Sequence, residues 1–286
     1  PKSGKLFLYL TAGGTANLQG DVVLDGLTVT VQGGTSDLII GSADTDSLTV
    51  SDASVTLDST TNAADITVNA ATELQENLSV TTNGGDIEFD SVTDADATHT
   101  LGLNAGTTGT VTVNDSIGES AGNALAVLTL TNSGGATFQS VDASSLNLLD
   151  TTGDITFQGD VDVTLLALQA EAYNVAFNED LSVTNDFTAP AMTGDLAIGN
   201  DNADQASFSN GLDLSAVAGT TSVAGALDVS TFDADFGTLL IEDDTTIDAG
   251  NVHFQATVDS ASGETNSLTV NTASSGQTQF DGAVGG

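Results

Sequence analysis

The 286-residue chain has no cysteine, no tryptophan and no arginine, and only two each of proline, histidine and lysine. Without cysteine there is neither a disulfide framework nor a thiolate metal site, which suits a secreted chain as well as an intracellular one. Phosphate binding requires lysine and arginine, and Lys2 and Lys5 both stand at the N-terminal edge. No basic patch can therefore form on the body, which argues against nucleic acid and anionic lipid as partners. No apolar run approaches the ~20 residues of a spanning helix, so membrane insertion is not expected. Lys5 to Leu10 is also too short for the apolar core of a signal peptide.

What the chain has in excess is negative charge: 40 Asp plus Glu, for a net charge of −38. Such a polyanion is soluble and attracts metal cations or basic partners. It also fits a salt-loving source, where carboxylates hold hydration. High acidity with 39% hydrophobic residues can signal disorder, but Val, Ile, Leu and Thr recur here in regular short runs. In Leu27-Thr28-Val29-Thr30-Val31 the aliphatic residues share one face and the threonines the other, which is the pattern of a half-buried strand. Between such runs stand turn formers such as Asn83-Gly84-Gly85, where Gly tolerates positive φ and Asn bonds its own backbone.

The runs recur at a near-constant interval. Phe138, Phe157 and Phe177 close three of them, and Leu148 and Leu168 repeat the interval from runs of their own. A period of about 20 residues with about two strands per period predicts a coil that returns on itself. Parallel strands stack ~4.8 Å apart, so like side chains would form columns inside it. The expectation is an all-β fold, a parallel β-helix or β-solenoid of about 20 residues per coil. One continuous domain over residues 1–286, of roughly 14 coils and about 65–70 Å, follows from that rise. Leu165 to Ala172 is read as strand despite its alanines, and Ala189-Pro190-Ala191-Met192 as a loop pushed outward, because Pro removes a ladder donor.

The N-terminal run Lys5-Leu6-Phe7-Leu8-Tyr9-Leu10 is the most hydrophobic in the chain. Residues 1–12 read either as a first strand capping the open end of the solenoid or as an arm that adds to a neighbouring subunit. In the second case Lys2 and Lys5 would meet that neighbour's acidic surface.

The segment from Ser267-Leu-Thr-Val-Asn-Thr-Ala to Thr278-Gln-Phe-Asp-Gly-Ala-Val-Gly-Gly286 resembles the strand-repeat regions of giant bacterial surface proteins, the filamentous-haemagglutinin-like adhesins. The likeness in style covers nearly the whole chain and is close over the last twenty or so residues. It implies a right-handed parallel β-helix, export, and a structural or adhesive task.

Acidic residues cannot occupy interior columns unpaired. Two carboxylates one rung apart in water repel by roughly 0.9 kcal/mol, so they belong at turns, staggered or bridged by cations. Paired acids occur at Asp44/Asp46, Asp94/Asp96, Asp201/Asp204, Asp233/Asp235 and Glu242-Asp243-Asp244. Calcium takes six to eight oxygen ligands, and Asp94/Asp96 and Asp201/Asp204 are the candidates to supply part of such a shell. No EF-hand loop or Gly-Gly-x-Gly-x-Asp calcium repeat is present. His99 and His253 are far apart in sequence and are expected to be exposed. An enzyme is not expected: Asp243-Asp244 has no arginine beside it to hold a uronate, and no Gly-x-Ser-x-Gly elbow occurs. Threonine runs such as Thr28/Thr30 do not recur at the coil interval, so they do not form an ice-binding face.

These readings converge on an extracellular structural protein, a filament subunit or adhesin stalk that assembles end to end with copies of itself. The alternatives are a non-assembling section of a large adhesin, or a surface module that binds cations or glycans.

Overall fold

The computed structural model describes residues 4–9, 15–25, 27–32, 37–41, 46–51, 55–59, 64–118 and 123–285. The fold is all-β, a parallel β-solenoid of about 11 turns with about 22 residues per turn. Among the described residues no helix is long and apolar enough to cross a membrane. Contacts group the chain into two compact units, residues 1–154 and 155–286, at a boundary that no shift in composition marks.

A turn is built from three short strands rather than two. One turn of the first unit runs Leu78–Thr82, Ile87–Phe89 and Val92–Asp94. Each strand pairs in parallel with its counterparts one turn away. Leu78–Thr82, for example, lies between Val55–Ser59 and Thr100–Asn104. Alternation decides which side chains enter the core: Leu78 and Val80 are buried and Ser79 is exposed. The third strand is only three residues long, so it adds little periodic signal. With three sides the turn takes about 22 residues, and the chain closes about 11 turns instead of 14.

The predicted columns exist. In the first unit Val29, Leu57, Val80, Leu103, Leu130 and Leu148 are consecutive register partners, and all six are fully buried. A second column runs Ile40, Val68, Phe89, Val113, Phe138. In the second unit Phe157 and Phe177 stack with ring centroids 4.9 Å apart at 9°, and Ile198, Val223 and Ile241 continue their column. Each such residue contributes ~1.5–3 kcal/mol by leaving water, the term that opposes chain entropy.

Two details of the sequence reading are corrected. Leu168 is half-buried, because the inward positions of Val161–Leu168 are Val161, Val163 and Leu166. The odd step from Val163 to Leu166 breaks the alternation and turns Leu165 outward, whereas Leu168, on the side of Leu166, is only partly covered. The segment Ala189 to Met192 is a loop, but it is not pushed outward: Ala189 and Met192 are buried. Its backbone is stitched to the next turn by Ala189 N donating to Asp213 O and Ala218 N donating to Met192 O, both at 2.8 Å. Pro190 only interrupts the ladder locally.

The N-terminal strand Gly4–Tyr9 pairs in parallel with Leu27–Gln32, as a first strand of the stack would. Lys2 and Leu10 lie outside the described residues.

Candidate functional site

Most acids whose bonding is resolved sit at corners, and there they have a structural task. An Asp or Asn immediately before a strand accepts, through Oδ1, a hydrogen bond from the backbone N–H one turn further on. Asp65 accepts from Asp86 N at 2.8 Å, Asp86 from Thr110 N at 2.7 Å, and Asn77 from Thr100 N at 2.8 Å. In the second unit Asn174 accepts from Asp195 N, Asp195 from Thr220 N, and Asp180 from Gln205 N, at 2.7, 2.7 and 2.8 Å. These bonds satisfy amides that leave the ladder at each bend, and a carboxylate acceptor makes them charge-assisted. Stacking like charges has a cost, visible at Asp65. Burial raises its pKa above the ordinary carboxylate value, the bond from Asp86 N lowers it, and the Asp86 and Asp37 carboxylates raise it.

Asp201 and Asp204, expected as a cation pair, are engaged in their own loop. Asp204 is buried, and its Oδ2 accepts from Asn200 N at 2.6 Å and Asp201 N at 3.0 Å. Asp201 Oδ1 accepts from Ala203 N at 2.7 Å. The loop packs tightly on Gly225, which has φ +76°; a Cβ there would lie 2.2 Å from Asp204 O. Among the described residues these two acids do not belong to any group of three or more metal-ligating side chains.

Asp94 and Asp96 are arranged differently, and they include a residue the pattern did not assign to them. Asp94 Oδ1 lies 2.8 Å from His99 Nδ1, and Asp96 Oδ1 lies 3.3 Å from the same nitrogen. Asp94 Oδ2 accepts from His99 N at 2.6 Å and Oδ1 from Asp96 N at 3.2 Å. The loop reverses at Ala97, which has φ 60°. Asp94 is fully buried because it holds an inward position: the column Leu24, Val50, Leu74 has Asp94 as its next register partner. Burial raises its pKa, but bonds from the His99 ring and from the backbone of His99 and Asp96 outweigh this and hold the carboxyl below its ordinary value. An acid does therefore enter an interior column, as a single paired rung.

Neither histidine is exposed as expected. His253 is half-buried, with Nε2 2.8 Å from Asp281 Oδ2 and Nδ1 3.4 Å from Asp235 Oδ1. Its pKa is raised, first by the hydrogen bond to Asp281.

The last described turn of the second unit carries apolar residues at column positions. Leu268 and Val270 are the register partners of Thr245 and Ile247, Phe280 of Phe254, and Val284 bridges to Val258. The inner members are buried, whereas Phe280 is 43% and Val284 59% exposed. Beside this turn a groove of about 810 Å³ is lined by Ile241, Val258, Ala261, Leu268 and Val284 among others.

Comparison with family models, with curated proteins and with solved structures returned no significant match.

Proposed function

We propose that this chain is an extracellular structural protein, a β-solenoid subunit of a filament or adhesin stalk that assembles end to end. The observation that carries this reading is the stack itself: parallel strands over apolar columns, in which Phe280 and Val284 continue the positions of Phe254 and Val258 while staying exposed to water. A parallel edge over an apolar face is a template for another strand. Copies that meet edge to edge in this way make a heterologous contact, which propagates without closing and yields a fibre.

The resemblance to filamentous-haemagglutinin-like adhesins supports export and a mechanical rather than catalytic task. The net charge of −38 keeps the flanks of neighbouring filaments apart, leaving the ends as the place of contact.

Electron microscopy of the purified chain tests this directly. Long fibres are expected, and Phe280→Asp combined with Val284→Asp is expected to leave only short particles with an unchanged far-ultraviolet spectrum. Short particles from the unaltered chain at every concentration would overturn end-to-end assembly and favour a non-assembling section of a larger adhesin.

A further inference from the structure

We propose that Asp94, Asp96 and His99 form a binding site for a divalent transition metal of the zinc class. The three ligand atoms lie within 4.8 Å of one another, and both carboxylates address the same ring nitrogen, at 2.8 and 3.3 Å. Zinc bonds to nitrogen and oxygen of ~2.0–2.2 Å place neighbouring ligands about 3–3.5 Å apart. A metal can thus take the place of the Nδ1 proton with little movement of the backbone.

The place of Asp94 in the fold is the second observation. Asp94 stands in the core column after Leu24, Val50 and Leu74, where an aliphatic residue would bury without cost. A carboxylate there has to be desolvated, and the loop carries the histidine back over it. The corner acids need no such position for their task, since they serve it from the surface. Asp204 is likewise buried to hold its own loop amides; what sets Asp94 apart is the imidazole and second carboxylate that meet beside it.

The donor set selects the metal. Calcium takes oxygen ligands throughout, whereas an imidazole nitrogen beside carboxylates suits zinc, cobalt or nickel. Two carboxylates and one imidazole leave the remaining positions to water. His253 provides an internal contrast, because its two carboxylates sit on opposite nitrogens and cannot both join the ring on one ion. The site is separate from the last described turn, and it stands whether or not the chain assembles.

Only two histidines occur in the chain, so imidazole NMR of the full-length protein resolves the question without a variant. Zinc chloride added to one equivalent, in a large excess of calcium, is expected to shift the His99 ring signals and leave those of His253 in place. Cobalt chloride should give visible absorption bands that zinc abolishes. Asp96→Asn alters a side chain that is 62% exposed and should weaken zinc binding tenfold or more with the fold intact; His99→Gln should abolish the one-equivalent step. The proposal is overturned if both rings shift together, if neither shifts, if calcium displaces zinc, or if Asp96→Asn binds zinc as tightly as the parent chain.

Discussion

Phe254 and Phe280 are the same residue type at the same register of adjacent turns, with rings stacked 4.6 Å apart at 13°. One is fully buried and the other 43% exposed. Each closes a three-residue strand, Val252-His-Phe254 and Thr278-Gln-Phe280. What differs is the number of turns covering each. In a solenoid a side chain becomes core only when the turns on both sides of it are in place. The pair teaches that burial here belongs to the stack and not to the strand.

Breaking the comparison at its inner member should have the largest effect. Phe254→Ala removes a ring with neighbours above and below, and a loss of about 3–5 kcal/mol in urea unfolding is expected. Phe280→Ala, with much of its ring already wet, should cost about 1–2 kcal/mol in the same measurement. Equal losses would mean that the final turn is covered in solution. If assembly covers it, the Phe280→Ala loss should grow with protein concentration, because binding adds to apparent stability.

A smaller effect sharpens the same contrast on the outer surface. Asp180 accepts the Gln205 amide from the next turn, while its neighbour Glu179 is an exposed acid of equal charge. Asp180→Ala should cost about 1 kcal/mol, and Glu179→Gln should stay within about 0.5 kcal/mol. A matching loss at both positions would show that charge density, and not the hydrogen bond to the next turn, sets the cost.

The smallest effect concerns pH at the final turn. His253 meets Asp281, beyond the last strand, and Asp235, one turn inward, and its pKa is raised above 6.5, first by the bond to Asp281. A raised folded pKa contributes stability that is fully present below the unfolded value and is lost as pH rises through the folded one. The C-terminal turn should therefore loosen slightly as pH climbs from near 6.5 through the raised value. Hydrogen exchange of residues 278–285 should report this, and His253→Gln should flatten the dependence.

Alternation made the strands legible, and spacing made the columns legible, because both follow from a backbone that places every second side chain on one face. The third side of each turn was harder to see, since three residues such as Val92-Thr-Asp94 carry too little pattern. The corner rule was present in the sequence as Asp or Asn directly before an aliphatic strand, as in Asp65-Ile66, Asp86-Ile87, Asn174-Val175 and Asp195-Leu196. It was hidden because those residues also look like ordinary turn formers. The pairing of Asp94 with Asp96 could be proposed from proximity in sequence, but His99 joins them only because the loop reverses at Ala97. Asp201 and Asp204 looked equally promising, and there the loop turns the carboxylates onto its own amides instead.

The order of residues alone determined that this chain is β-structured, that it winds with a period of about twenty, and that its charge lies outside the columns with few exceptions. These are properties of composition and local alternation, which each short segment carries by itself. The tertiary structure decided that three strands make a turn, that one carboxylate enters the core beside an imidazole, and that Phe254 is buried while Phe280 is partly exposed. Each of those depends on which residues about 22 positions apart come into register, and register is a property of the closed coil.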